Sequence, residues 1–202
     1  MKLYDFHDSG NGYKVRLLCA LIGLDHDYRE IDITRGESRT PEFLAKNPNG
    51  RIPVLELDDG TFLTESDAIL HHLADGTSYL PADRLAETRV LQWMFFEQYN
   101  HEPSIAVARY IVRHTPEDHP RRGELPGLRE RGHAALEVME DRLSGHDWLV
   151  GDGPTIADIA LFAYTHVAED GGIETTGYPG IKAWMDRIRT LDGFVPMTGG
   201  RG

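Results

Sequence analysis

The stretch IPVLELDDGTFL, residues 52–63, decides which fold the chain can adopt. It contains two short apolar runs, 52–57 and 61–63, which flank the turn-forming triplet Asp58-Asp59-Gly60. Apolar runs joined by such a triplet are typical of a β-hairpin. A helical pattern then runs from Glu65 to Ala74. The stretch therefore predicts two antiparallel strands followed by a helix.

Strand and helix patterns alternate upstream of this hairpin. Residues 3–6 and 26–32 have the pattern of short strands, and a helical repeat between them begins at Asn11 and stops at Gly23. Residues 40–44 form a short predicted helix. The order βαβαββα over residues 1–76 predicts a mixed sheet with helices on both faces, because a helix joins parallel strands and a hairpin adds antiparallel ones.

The second half of the chain has a different pattern. Residues 77–84 lack periodicity and are predicted to be a linker, and residues 85–202 have the repeat of an all-helical domain. A bend is expected at Pro103, because proline removes one hydrogen bond from a helix. The predicted helices span residues 84–113, 128–143, 155–169 and 179–191.

Charge and hydropathy exclude several functional classes. The 202 residues are 40% hydrophobic and 27% charged, which is ordinary for a globular protein. A formal net charge of −12 argues against a nucleic-acid partner and against docking on anionic membranes, because both require a basic surface. No apolar run approaches the roughly 20 residues that a membrane span needs, and the N-terminus lacks a signal-peptide pattern.

Cysteine and histidine usage narrows the chemistry further. Cys19 is the only cysteine, so neither an intrachain disulfide nor a Cys-based zinc site can form. It lies on the apolar side of the first predicted helix, and we interpret it as buried and inert. The ten histidines lack metal-binding spacing, so we expect no metal. Such a chain suits a reducing compartment, and we expect a cytoplasmic protein.

A Ser9-Gly10-Asn11-Gly12 turn separates the first strand from the first helix. The N–H groups at a helix start, together with the helix dipole, favour an anion such as a thiolate. A hydrogen bond from the Ser9 hydroxyl would stabilise the charged sulfur further, and the Asn11 amide offers a second donor. The same four residues are also an ordinary turn with an N-cap, and the local pattern leaves both interpretations open.

Glu65 and Ser66 follow the hairpin at the start of a helix. A carboxylate and a hydroxyl at this point can divide the recognition of an amino-acid head group. Glu65 would pair with the amine, and the Ser66 hydroxyl and N–H would bind the carboxylate. The alternative is a capping arrangement without a ligand. Thr155 and Asp158 have capping-box spacing in the helical half, and we assign them to stability rather than catalysis.

These motifs, together with the block NPNGRIPV at 47–54, resemble the glutathione transferase family over essentially the whole chain. Ser9 and Asn11 resemble the serine-type and bacterial nu-type members in particular, although His7 stands where a proline or small residue is often found. The resemblance implies a thioredoxin-like βαβαββα domain followed by an all-helical C-terminal domain. It also implies a homodimer in the cytoplasm with a role in detoxification.

The resemblance also implies a site. Ser9 and Asn11 would stabilise the thiolate of glutathione, which is a co-substrate. Five further residues would bind glutathione: Arg51, Ile52, Pro53, Glu65 and Ser66. In the family the bond before the matching proline is cis, and the residue before it offers its backbone to the cysteinyl part. Arg51 would contact the glycine carboxylate or is an ordinary surface arginine. A pocket for a small hydrophobic electrophile would include Tyr99, His101 and Ile105.

Several reactions use such a thiolate. They are conjugation, reduction of peroxides or disulfides, dehalogenation and isomerisation, and the sequence does not choose among them. The turn carries no cysteine, which argues against a mixed-disulfide mechanism that uses a protein thiol. The alternative function is a non-catalytic binding or scaffold protein on the same fold. Retention of Ser9 with Glu65 and Ser66 counts against that alternative, because a scaffold needs none of them.

Overall fold

The computed structural model describes residues 1–197 and divides into two compact units. The first contains Met1–Thr77 and the segment that begins at Asp192, and the second contains Ser78–Leu191. The first unit confirms the predicted βαβαββα order. Its elements are β1 (Lys2–Asp5), α1 (Gly10–Leu21), β2 (Asp27–Glu30), α2 (Pro41–Leu44), β3 (Val54–Glu56), β4 (Phe62–Thr64) and α3 (Ser66–Leu73).

The four strands form one mixed sheet in the order β2-β1-β3-β4. β1 and β2 are parallel, whereas β1 with β3 and β3 with β4 are antiparallel, as predicted. In the central register Leu3 pairs with both Tyr28 and Leu55. β3 begins two residues later than predicted, at Val54, because Pro53 has no N–H to donate to a ladder.

An apolar core lies beneath the sheet. Leu3, Leu55, Val15, Cys19 and Ile69 form one buried cluster that joins β1 and β3 to α1 and α3. Cys19 is buried as expected, and burial raises the pKa of its thiol to about 12. The thiol therefore stays protonated at neutral pH, which agrees with an inert packing role. This core fixes the starts of α1 and α3 relative to the sheet.

The C-terminal segment that begins at Asp192 belongs to the first unit and contacts α1. Tyr13 Oη donates to the carbonyl of Val195 (2.8 Å), and Arg16 Nη1 donates to that of Met197 (3.3 Å). The sequence assigned all of 85–202 to the helical domain, whereas residues 192–197 belong to the first unit. Helical periodicity ends before this segment, and a non-periodic segment carries no local signal of which unit it contacts. Residues 198–202 of that predicted domain lie outside the described residues.

The second unit is helical. A π-helical turn, Glu97–His101, lies between α4 and α5, directly before the Pro103 at which the sequence predicted a bend. α7 is buried along its entire length, so it is the central helix of this unit. No helix in the described part of the chain is both long and apolar enough to cross a membrane. The helices are α4 (Arg84–Phe96), α5 (Glu102–His114), α6 (Leu125–Leu143), α7 (Ile156–Thr165) and α8 (Pro179–Arg189).

Candidate functional site

Ser9 is the N-cap of α1. Its Oγ accepts a hydrogen bond from the Gly12 N–H (3.4 Å), and its own N–H donates to the Phe6 carbonyl (2.8 Å). Ser9 therefore caps the helix, as one of the two interpretations of the turn expected. Capping uses an acceptor lone pair of the hydroxyl and leaves its O–H as a donor. A side chain that caps in this way can still donate to an anion at the helix start.

A buried ion pair shapes the turn that carries Ser9. Asp5 is fully buried at the end of β1, where Oδ1 accepts the Phe6 N–H (2.7 Å) and Oδ2 accepts Arg16 Nε (3.0 Å). Arg16 also donates to the carbonyl of His7 (2.8 Å). Burial raises the pKa of Asp5 to about 7, and the charge of Arg16 opposes that shift. The side chains of Asp5 and Arg16 therefore hold the backbone of residues 5–7 in place through these hydrogen bonds.

Glu65 and Ser66 do not form the capping arrangement that was the alternative to a ligand site. Glu65 is exposed, makes no side-chain capping bond, and has φ 64° and ψ 112°, a backbone region that non-glycine residues avoid. Ser66 is the first residue of α3 and is buried. Strain of this kind persists only where surrounding structure enforces it, and it concentrates at functional sites. The Glu65 carboxylate is therefore exposed and does not cap the helix.

A side-chain network joins the starts of α1 and α3. Ser66 Oγ donates to Asn11 Oδ1 (3.3 Å) and accepts from Lys14 Nζ (3.3 Å). The same ammonium group donates to Asp67 Oδ1 (3.1 Å). The Asn11 and Ser66 motifs, 55 residues apart in the sequence, therefore meet. Two helix N-termini converge there, and both favour negative charge.

The segment before β3 is held by a buried asparagine. Asn47 Nδ2 donates to the carbonyl of Arg51 (2.7 Å), and its Oδ1 accepts the Asn49 N–H (3.0 Å). Gly50 completes the turn with φ 62°, and a side chain there would meet Arg39 and Ser38. The Ile52–Pro53 bond is cis, as the resemblance implied. Arg51 is exposed, and Ile52 lies before the paired part of the strand.

The three residues predicted for the co-substrate pocket differ sharply in exposure. His101 and Ile105 are completely buried, and His101 Nε2 lies 2.9 Å from Thr165 Oγ1. Their burial assigns both to the core of the helical unit, which corrects the expectation that they face a ligand. The helical repeat alone did not separate core from surface across the π-helical turn, which changes the facing of side chains. Tyr99 is 85% exposed and is the one member a small molecule can contact.

Four supporting residues were not found from the sequence: Asp5, Lys14, Arg16 and Asn47. Each is charged or polar, each makes hydrogen bonds distant in sequence or within a turn, and three of the four are fully or almost fully buried. Such residues carry no periodic signal. Asn47 alone had a local cue, since Asn is common in turns of its kind.

Asp158 forms the predicted capping box. Its Oδ2 accepts both the N–H (2.8 Å) and the hydroxyl (3.0 Å) of Thr155. Its Oδ1 accepts the Leu149 N–H (3.0 Å) and the Trp184 indole N–H (2.9 Å). These contacts tie α7 to the preceding loop and to α8, which agrees with a role in stability. Within residues 1–197, no group of three or more His, Cys, Asp or Glu side chains is arranged to hold a metal ion.

Family models match both halves of the chain. The model of the glutathione S-transferase N-terminal domain matches residues 3–78, and that of the C-terminal domain matches residues 104–192. A crystal structure of a glutathione S-transferase from Pseudomonas fluorescens is 53% identical, has a TM-score of 0.94, and covers 98% of either chain.

Two further proteins extend the comparison. The maleylacetoacetate isomerase of Pseudomonas aeruginosa is 30% identical over 92% of this chain and 90% of its own length. A glutathione transferase homolog from Lodderomyces elongisporus, solved with two GSH per subunit, is 27% identical with a TM-score of 0.85. That alignment covers 95% of this chain and 94% of the other.

Proposed function

The chain belongs to the glutathione S-transferase family, and we propose that it binds glutathione at the starts of α1 and α3 and activates its thiol. The observation that carries the proposal is the hydrogen bond between Asn11 and Ser66. It joins a turn suited to a thiolate with a helix start suited to a carboxylate. Glutathione carries both groups, and both helix dipoles favour them.

The thiolate end would use Ser9. A free cysteine thiol has a pKa of about 8.5, so only a few per cent is ionised at neutral pH. A hydrogen bond to a charged group is worth about 1.5–3 kcal/mol, and one pKa unit corresponds to about 1.4 kcal/mol. Donation by Ser9 therefore lowers the thiol pKa by about one to two units. Asn11 is a second donor on the same turn.

The remaining groups would bind the rest of the tripeptide. Glu65 pairs with the γ-glutamyl amine, and Ser66 binds the α-carboxylate at the positive end of α3. The backbone of Ile52, beside the cis Pro53, would pair with the cysteinyl part as a strand does. Arg51 is exposed, and we assign it to the glycine carboxylate.

The second substrate is a small hydrophobic electrophile, which Tyr99 would contact. Its attack by the thiolate needs no covalent chemistry from the protein, only a lowered thiol pKa and proximity. The isomerase relative makes cis–trans isomerisation one reaction to assay beside conjugation and thiol-dependent reduction. We propose that the enzyme acts as a homodimer in the cytoplasm, where it detoxifies such electrophiles.

Replacing Ser9 by alanine should raise the pKa of bound glutathione by about one unit or more. The ultraviolet thiolate band, followed against pH with glutathione in excess, measures this shift. The exposed Ser144, at the end of α6, supplies a matched control, and Ser144→Ala should leave the pKa unchanged. If Asn11→Ala abolishes the thiolate while Ser9→Ala does not, the donor is Asn11. If wild-type protein does not bind glutathione, the proposed function is wrong.

Glu65→Gly and Glu65→Ala should separate affinity from stability. Both remove the carboxylate, so both should weaken glutathione binding by about tenfold or more. Only glycine relieves the positive φ, so the glycine variant should be more stable than the alanine variant by about 1 kcal/mol. Calorimetric titration and urea unfolding measure the two effects. Equal stability of the two variants would show that the backbone is not strained, and undiminished affinity would remove Glu65 from the site.

A further inference from the structure

Lys14 is a buried charge beneath the proposed site. Its side chain is completely buried on α1, in a chain whose other lysines lie nearer the surface. Burying an ammonium group is costly unless charge and hydrogen bonds compensate. Asp67 Oδ1 (3.1 Å) supplies the countercharge. Ser66 Oγ (3.3 Å) is a second partner, and it is the atom assigned above to the carboxylate of glutathione.

The chemistry of the three groups fixes the direction of their hydrogen bonds. An ammonium group only donates, so Ser66 Oγ must accept from Lys14. The proton of the Ser66 hydroxyl is then directed away from Lys14, and in this structure it points to Asn11 Oδ1 (3.3 Å). Asn11 thereby turns its carbonyl oxygen to Ser66. A donor that itself accepts from a cation is also polarised and donates more strongly.

We propose that Lys14 is a positioning residue for glutathione. It holds the Ser66 hydroxyl as a donor toward the ligand carboxylate. When the carboxylate binds, it replaces Asn11 Oδ1 as the acceptor of the Ser66 hydroxyl while Lys14 keeps the oxygen in place. The inference rests on the proposed function, because it assigns Lys14 to that same site.

A lysine that only stabilises the fold can be distinguished from a lysine that positions Ser66. α1 and α3 already pack through Val15 and Ile69, which belong to the apolar core. Asp67 Oδ1 already supplies a countercharge to the ammonium group. The bond to Ser66 satisfies another ammonium donor, and it is the contact that reaches the atom assigned to the glutathione carboxylate. A structural lysine would therefore act through Asp67, and a positioning lysine acts through Ser66.

A double-mutant cycle distinguishes the two roles. Lys14→Met should weaken glutathione binding about tenfold, measured by calorimetry. Lys182→Met, on the exposed surface of α8, removes the same charge and should change affinity less than about twofold. In a Ser66→Ala background Lys14→Met should add less than about threefold. An equal loss in both backgrounds would overturn the inference.

Two further measurements distinguish failure of the inference from misfolding of the variant and from absence of glutathione binding. Lys14→Met/Asp67→Asn leaves no unpaired buried carboxylate and should show the same loss of affinity as Lys14→Met. In wild-type protein labelled with ¹⁵N-lysine, the Lys14 ammonium resonance should shift when glutathione is added. A resonance that does not move while glutathione binds would overturn the inference and leave the proposed function intact. Absence of glutathione binding by wild-type protein would instead contradict the proposed function, and the inference with it.

Discussion

Replacing Asp158 by asparagine should lower the free energy of unfolding by about 3 kcal/mol, although the two side chains have the same shape. The carboxylate accepts four hydrogen bonds, two from Thr155, one from Leu149 and one from Trp184. Asparagine has one acceptor oxygen, and its NH₂ group would face N–H or O–H donors. At least two buried donors would lose their acceptor, at about 1–3 kcal/mol each.

The cause lies in burial rather than in capping itself. Burial raises the pKa of Asp158, whereas the hydrogen bonds from Leu149, Thr155 and Trp184 lower it, so the donors offset part of the desolvation cost. Asp83, the N-cap of α4, is exposed, and its side chain accepts the Ala86 N–H (2.9 Å). Asp83→Asn should change stability by less than about 0.5 kcal/mol, since asparagine is an equally good N-cap. Urea unfolding of both variants measures the difference, and equal effects would contradict this account.

The same residue illustrates what the sequence could predict. Thr155 and Asp158 are three residues apart, so their capping box was visible in the sequence. The bond from Trp184, which is 26 residues away, was not, because no local rule connects α8 with the start of α7. Fold class follows from such local patterns, and the order βαβαββα was predictable for that reason. The energetic importance of a motif depends on its long-range partners.

The candidate site shows the same division. Ser9, Glu65 and Ser66 were found because each lies at a helix start with a recognisable pattern. Lys14 and Asp5 were missed, because a lysine or aspartate is normally exposed and neither follows a periodic pattern. Their burial depends on partners in other elements, Asp67 for Lys14 and Arg16 for Asp5. The positive φ of Glu65 was not predicted either, because nothing in the sequence requires it there.

The sequence predicted the helices of the second unit, but it did not predict which of their residues are exposed. The pattern placed a bend at Pro103, and the structure has the π-helical turn directly before it. An α-helical repeat cannot be extended through such a turn, because the wider turn shifts the facing of every later residue. His101 and Ile105, which the resemblance suggested for a pocket, lie in the core. Tyr99, within the turn, is exposed.

Gly12→Ala should cost about 3 kcal/mol or more, against the rule that alanine stabilises helices by about 1 kcal/mol over glycine. Gly12 lies in the first turn of α1, and a Cβ atom there would overlap the carboxylate of Asp5. Asp5 cannot move aside without leaving Arg16 and the Phe6 N–H, and Arg16 also holds the carbonyl of His7. The turn that carries Ser9 would shift with them, so glutathione affinity should fall by about tenfold or more.

Two variants test whether the clash with Asp5 is the cause. Gly127, near the start of α6, would place its Cβ only in ordinary contact with the flexible end of Arg131, so Gly127→Ala should be neutral or stabilising. In an Asp5→Ala background the carboxylate is gone, and Gly12→Ala should then cost less than about 0.5 kcal/mol. Unfolding by urea gives all the free energies. If Gly12→Ala costs the same with and without Asp5, the glycine is required for another reason, and the carboxylate does not set the shape of the turn.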